Sequence, residues 1–227
     1  ELFFGAMDRS ASRPVAMRVK RGGTWVGTSF ADLLSQVQAF SIGLHELGVN
    51  AGDRLAILSE NRPEWAVTDF ACLACRCADV PVYPTLPAHQ IEYILRDSGA
   101  VAVCCSSAAQ LGKILEIRGN LPALKTIVVF DADAATGGAI TFESVLAKGR
   151  AAIPKYPTWR ADALAVKPDD LATLIYTSGT TGDPKGVVTH HRGAYLNAVC
   201  NAATWTMPHF PRYLWTLPMF HCNGWCF

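Results

Sequence analysis

The chain has 227 residues, half of them hydrophobic, with 20 basic and 19 acidic side chains and a net charge of +1. This length and apolar content suffice for the buried core of one large domain or two smaller lobes. The basic residues are scattered rather than clustered, so the composition indicates neither nucleic-acid binding nor an acidic partner.

No apolar run reaches the roughly 18 residues of a membrane span. The first residues, ELFF, lack the basic-then-apolar layout of a signal peptide. The sequence therefore predicts a cytoplasmic protein without a transmembrane segment, and it leaves peripheral membrane contact open.

Apolar residues recur with helix and strand periods in alternation. Helical spacing predicts a helix over residues 30–47, with Thr28 or Ser29 as its N-cap and Gly48 at its end. Short apolar runs predict strands at 54–59, 80–83, 101–105 and 126–130, with helices starting near Pro63, ending at Gly99 and spanning 108–117. This alternation predicts an α/β fold with a mostly parallel sheet covered by helices.

Two stretches show neither period. Residues 131–140 are small and polar, and residues 151–167 carry two prolines, so both are predicted loops. The second loop is the predicted boundary between an N-terminal α/β lobe, 1–167, and a second segment, 168–227. A strand is also predicted at 213–217, ahead of His221.

Three of the eight cysteines, Cys72, Cys75 and Cys77, lie close together in the sequence. No second pair of ligands follows at zinc spacing. They are interpreted as reduced thiols of the core.

The stretch YTSGTTGDPKGVV, residues 176–188, follows a strand predicted at 171–176. It combines hydroxyl donors, glycines that permit positive φ and close backbone approach, and one compact cation, Lys185. Its donors and glycines are Thr177, Ser178, Gly179, Thr180, Thr181, Gly182 and Gly186. These groups predict a loop that binds nucleotide phosphates; the alternative is a solvated turn. Asp183 is expected to face solvent rather than to bind a metal, because Pro184 holds it in a turn.

A Walker A loop requires a glycine before its lysine and a serine or threonine after it. Pro184 and Gly186 occupy those places, so this loop belongs to a different class.

The stretch resembles the signature of the adenylate-forming enzymes, which include acyl-CoA synthetases, 4-coumarate ligases and luciferases. Residues 52–100, beginning GDRLAILSENRPEW, are similar to the N-terminal part of long-chain fatty acyl-CoA synthetases. Residues 214–227, LWTLPMFHCNGWCF, resemble a histidine motif in its medium-chain and plant acyl-activating form. The resemblance implies the incomplete N-terminal large domain of such an enzyme, with the ATP-binding core starting at residue 168.

The resemblance implies ATP-dependent activation of a long- or medium-chain fatty acid to acyl-AMP, then transfer to coenzyme A, with Mg²⁺ present. A carboxylate must attack a polyanion, so cationic and N–H donors have to face the phosphates. Two alternatives remain: a fatty acyl-AMP ligase that loads a carrier protein, and a non-catalytic nucleotide-binding module.

Site roles follow from the same resemblance. Lys185 and His221 are the expected catalytic residues, His221 by orienting the acyl carboxylate or stabilising charge. Asn223 and Gly224 are expected to line the substrate pocket with His221, and Thr177 is the expected magnesium-side hydroxyl. The expected phosphate contacts are Thr177, Ser178, Gly179, Thr180, Thr181, Gly182 and Lys185.

The sequence contains no Gly-Tyr-Gly-x-Thr-Glu stretch, ribose-binding aspartate, hinge or C-terminal lysine domain, which the family uses for adenine binding and catalysis. The resemblance therefore implies that the chain is an N-terminal fragment that does not turn over alone. His190 and His191 have no motif support and are expected to start a helix.

Overall fold

The computed structural model describes residues 1–177, 182–208 and 210–221, in which helices and strands alternate. In chain order the elements are α1 (Leu2–Arg9), β1 (Met17–Arg21), β2 (Thr24–Thr28), α2 (Phe30–Glu46), β3 (Arg54–Leu58), α3 (Pro63–Ala74), β4 (Ala78–Val82), α4 (Ala88–Ser98), β5 (Ala102–Cys105), α5 (Ala108–Ile117), β6 (Thr126–Val129), β7 (Ile140–Thr141), α6 (Phe142–Ala152), α7 (Trp159–Leu164), β8 (Leu171–Thr177), β9 (Lys185–His190) and α8 (His191–Thr204).

The described strands form a seven-stranded sheet and a separate hairpin. The order in the sheet is β7-β6-β5-β3-β4-β8-β9, and β1 pairs with β2. Neighbours in the large sheet are parallel, except that β9 runs antiparallel to β8. The predicted α/β fold with a mostly parallel sheet is confirmed.

Helices cover both faces of the sheet. On one face α2, α3 and α6 pack around a core that includes Phe40 and Trp65. On the other face α4 and α5 contribute Ile91 and Leu111 to a second core. Because the central strands are buried on both sides, they are continuous apolar runs rather than alternating ones.

The helix ends match the local signals in the sequence. Ser29 caps α2, because its hydroxyl accepts a hydrogen bond from the Asp32 N–H at 3.0 Å. Gly99 ends α4 in the left-handed conformation, with φ of +61°. These two predicted boundaries are confirmed.

Two predictions about local structure are wrong. The supposed loop 151–167 contains the end of α6 and all of α7, because the Trp159 indole N–H donates to the Ser41 hydroxyl at 2.6 Å and fixes α7 against α2. The supposed strand 213–217 is irregular and exposed, because no described segment pairs with it.

The predicted boundary at residue 167 lies in the loop before β8, and strands from both sides of it form one continuous sheet. β8 lies next to β4, with Thr173 opposite Asp79 in parallel register. The segment after residue 167 therefore extends the sheet of the preceding segment, and the division into two lobes stays a prediction.

The clustered cysteines contribute to the core. Cys72 and Cys77 are buried, and the Cys77 thiol donates to the Asn50 carbonyl at 3.0 Å. Among the residues with described positions, no three His, Cys, Asp or Glu side chains form a group that could hold a metal ion.

Helices α2 and α6 approach closely at two glycines. A Cβ atom built at Gly149 would lie 1.7 Å from the Ala39 carbonyl oxygen, and one at Gly43 would lie 2.3 Å from the Val145 carbonyl oxygen. Only glycine fits at either position. This contact brings the rings of Phe40 and Phe142 to a centroid distance of 4.6 Å in a stacked arrangement.

Asp79 on β4 is a fully buried carboxyl group in this core. Burial raises its pKa well above the ordinary value of 3.8, and the nearby Asp69 carboxylate raises it further. Because its pKa is higher in the folded state than in the unfolded state, the contribution of Asp79 to stability is present below about pH 3.8. This contribution is lost as the pH rises through the folded-state pKa.

We expect Asp79→Asn to increase the free energy of unfolding at pH 8 by about 2 kcal/mol and to have little effect at pH 4. Urea unfolding of both proteins at several pH values measures this difference. Asp133→Asn is the matched control, because Asp133 is exposed. A stability gain that does not vary with pH would assign the effect to packing instead of charge.

Candidate functional site

The described residues of the predicted phosphate-binding stretch, 176–177 and 182–188, belong to a β-hairpin. β8 ends at Thr177, and the chain returns antiparallel as β9, which starts at Lys185. A Walker A loop leads from a strand into a helix, whereas this loop leads from a strand into a strand. The structure therefore agrees with the exclusion of that class.

Thr177 and Lys185 face each other across this hairpin. They are direct partners in the antiparallel register, and both side chains are exposed. Direct partners have Cβ atoms about 5 Å apart and point to the same face of the sheet. The hairpin thus presents a hydroxyl and a cation side by side where its two strands enter the loop.

Tyr176 supports the hairpin from the opposite face. Its hydroxyl donates to an Asp97 carboxylate oxygen at 2.6 Å, and burial together with this carboxylate raises the pKa of Tyr176. A Cβ atom at Gly186 would lie 3.1 Å from the Tyr176 ring. Gly186 therefore serves close packing, whereas Gly182 takes the positive φ expected of this motif, at +86°.

Six of the predicted site residues lie in parts of the chain that the structure does not describe. Ser178, Gly179, Thr180 and Thr181 of the loop, and Asn223 and Gly224 of the histidine motif, lie outside the described residues. Their roles stay predictions. Asp183 is exposed, as expected.

His221 lies in a turn at the end of the described chain. Its backbone N–H donates to the Pro218 carbonyl at 3.2 Å. Its ring meets the Tyr83 ring edge-on, with centroids 5.9 Å apart. The Asn61 side chain forms hydrogen bonds with the Leu217 carbonyl and the Met219 N–H in the same turn.

The turn over residues 217–221, called the histidine turn, and the hairpin of β8 and β9 lie at the same edge of the sheet. Asn61 follows β3, Tyr83 follows β4 and Thr177 ends β8, and these strands are parallel neighbours. Neighbouring strands lie about 4.8 Å apart, and the carboxyl ends of parallel strands lie at one edge of a sheet. His221, which contacts Tyr83, and Lys185, which is paired with Thr177, are therefore on the same edge. This is the edge at which α/β sheets bind ligands.

The connections after β3 and β4 leave the sheet on opposite faces. α3 belongs to the core on one face and α4 to the core on the other. Such a change of direction opens a crevice between adjacent strand ends. Asn61 and Tyr83 follow these two strands, so the topology places them where such a crevice is expected.

Asn61 and Tyr83 were not identified from the sequence. A signal was present, because each is a residue with a polar group placed soon after a buried strand, where parallel strands present ligand-binding loops. The contact between Asn61 and the histidine turn could not be predicted from a local sequence pattern, because it joins residues 156 positions apart.

The two adjacent histidines have a structural role. His190 caps α8, because its Nδ1 accepts a hydrogen bond from the Gly193 N–H at 2.9 Å. His191 is the first residue of α8, and burial lowers its pKa. The expectation that they start a helix is confirmed.

Comparison with known proteins decides the family. The sequence matches the family described as AMP-binding enzyme over residues 5–227. The chain belongs to the AMP-binding enzyme family. Curated relatives of this AMP-binding chain include the long-chain-fatty-acid–CoA ligase FadD15 of Mycobacterium bovis, 39% identical over 72% of this chain and 26% of that protein. The peroxisomal acetate/butyrate–CoA ligase AAE7 of Arabidopsis thaliana is 31% identical over 97% of this chain and 40% of that protein.

Solved structures agree on the fold. A long-chain-fatty-acid–CoA ligase from Archaeoglobus fulgidus superposes with a TM-score of 0.79 at 20% identity, over 99% of this chain and 44% of that one. The AMP-binding chain spans between about a quarter and two fifths of the length of the curated relatives named above.

Within the described part, no helix is both long and apolar enough to cross a membrane.

Proposed function

We propose that this AMP-binding chain supplies the phosphate-binding hairpin and the histidine turn of an ATP-dependent fatty acyl-CoA synthetase. The observation that carries the proposal is the pairing of Thr177 with Lys185 at the sheet edge that also holds His221. A hydroxyl, a cation and an imidazole at one ligand-binding edge suit a reaction between a carboxylate and a polyphosphate.

The proposed reaction has two steps. The carboxylate attacks the α-phosphorus of ATP and pyrophosphate leaves, which gives acyl-AMP. The thiol of coenzyme A then displaces AMP to give the thioester. Lys185 binds the β- and γ-phosphates and offsets the charge of the leaving pyrophosphate, while His221 orients the acyl carboxylate.

The remaining loop residues complete the proposed phosphate site. Backbone N–H groups and hydroxyls of Ser178, Gly179, Thr180, Thr181 and Gly182 are assigned to the same phosphates as Lys185. Asn223 and Gly224 are assigned to the acyl pocket beside His221.

The exposed Thr177 hydroxyl suits Mg²⁺, because that ion prefers oxygen ligands and shares them with substrate phosphates. When bound, the ion would neutralise part of the phosphate charge. The Thr177 hydroxyl and the Lys185 ammonium group lie on one face of the hairpin, so both would be available to the same bound polyphosphate.

A fatty acid is the proposed substrate class. The two relatives named above are ligases for long-chain fatty acids and for acetate or butyrate, which supports a carboxylate substrate and leaves the chain length open. Coenzyme A is the proposed acceptor on the same grounds, and a carrier protein is the alternative. Cytoplasmic location stays a prediction from the sequence.

Fatty-acid-dependent exchange of pyrophosphate into ATP by the complete protein tests the proposal. Sequencing the native transcript through Phe227 defines that protein. We expect exchange with a fatty acid and none without it, followed by acyl-CoA formation when coenzyme A is added. ATP binding without exchange for carboxylates from acetate to long-chain fatty acids would instead support the non-catalytic module.

A further inference from the structure

The turn that carries His221 is bound by one side chain from a distant part of the chain. The Asn61 Nδ2 group donates to the Leu217 carbonyl at 2.6 Å, and its Oδ1 atom accepts from the Met219 N–H at 2.7 Å. One amide side chain thereby satisfies a carbonyl and an N–H two residues apart, as a neighbouring strand would.

The geometry also fixes the orientation of the amide. Exchanging Nδ2 and Oδ1 would place two donors together at Met219 and two acceptors together at Leu217, and both hydrogen bonds would be lost. This pair of hydrogen bonds, called the clamp, therefore requires an amide at position 61. An aspartate of nearly the same shape retains an acceptor for Met219 but offers no donor to Leu217.

The turn has a second contact on the same sheet edge. The Tyr83 ring lies 4.7 Å from the Phe220 ring and 5.9 Å from the His221 ring, measured between centroids. Upstream of the turn, residues 211–216 form no helix or strand, and Leu214 is 69% exposed. The contacts with Asn61 and Tyr83 therefore help to hold the turn that carries the imidazole.

We propose that Asn61 is a positioning residue that clamps the backbone of the turn and holds His221 at the carboxyl edge of the sheet. The role of the clamp in catalysis rests on the proposed function; the clamp itself does not. Asn61 acts through His221 and has no contact with substrate in this proposal.

Hydrogen exchange tests the clamp in the chain as it stands. We expect Asn61→Ala to increase the hydrogen-exchange rate of the Met219 amide about five- to tenfold. Asn61→Asp is expected to increase this rate by less, because aspartate keeps an acceptor for the Met219 N–H. Asn120→Ala is the matched control, because the exposed Asn120 amide donates to Glu92 at 3.1 Å away from this edge. An unchanged Met219 exchange rate in Asn61→Ala would overturn the proposal.

A double-mutant cycle in the complete protein tests positioning. We expect Asn61→Ala to lower the rate of acyl-adenylate formation about tenfold in the wild-type background and to have almost no further effect when His221 is already alanine. Equal effects in both backgrounds would overturn a role through His221. A complete protein without pyrophosphate exchange would contradict the proposed function, yet faster Met219 exchange would still establish the clamp.

Discussion

Replacing Lys185 with alanine is expected to slow acyl-adenylate formation by about 10- to 150-fold, the equivalent of losing one charge-assisted hydrogen bond of about 1.5–3 kcal/mol. Lys185 starts β9 opposite Thr177, with an exposed side chain on the loop side of the hairpin. The ammonium group is therefore available to the phosphates, which in the proposed reaction are present in the first half-reaction and have left before the second.

The measurement compares the two half-reactions in the complete protein. Pyrophosphate exchange reports adenylation, and the conversion of preformed acyl-AMP to acyl-CoA reports thioester formation. Lys125→Ala is the matched control, because Lys125 is an exposed lysine that precedes β6 at the opposite edge of the parallel sheet. Equal slowing of both half-reactions would refute a role of Lys185 in binding the leaving pyrophosphate.

Replacing Gly149 with alanine is expected to lower the free energy of unfolding by about 3 kcal/mol or more, at the upper end of overpacking effects. The new methyl group would lie 1.7 Å from the Ala39 carbonyl oxygen and 2.8 Å from the Gly43 nitrogen. These are backbone atoms, so no side-chain rotation relieves the clash. α2 and α6 would have to separate and open the core between them.

Urea unfolding followed by circular dichroism measures this effect. Gly112→Ala is the matched control, because Gly112 lies within α5 and a Cβ atom there meets nothing within 4 Å. We expect that change to stabilise the protein by about 0.5–1 kcal/mol, since alanine loses less backbone entropy on folding. Wild-type stability of Gly149→Ala would contradict the close approach of α2 and α6.

Local signals account for the elements that were predicted correctly. The N-cap at Ser29, the left-handed glycine at Gly99 and the bounds of α5 each depend on residues within one or two helical turns. Such interactions form in the same way wherever the segment lies in the fold. A short window of sequence is therefore sufficient to identify them.

Contacts between distant segments account for the errors. α7 has no clear apolar period, and its position depends on the bond between Trp159 and Ser41, 118 residues apart. The supposed strand at 213–217 has a suitable composition, yet a strand also needs a partner with free N–H and carbonyl groups. Neither condition can be read from a local pattern.

The candidate site shows the same division. The sequence by itself determined that a stretch rich in glycine and hydroxyl groups and containing Lys185 follows a buried strand, and it predicted phosphate binding there, because this chemistry is local to that stretch. Only the tertiary structure decided that Lys185 lies opposite Thr177 in a hairpin and that Asn61 holds the turn of His221 at the same edge. The physical reason is that strand order and register, which no single segment encodes, bring these residues together.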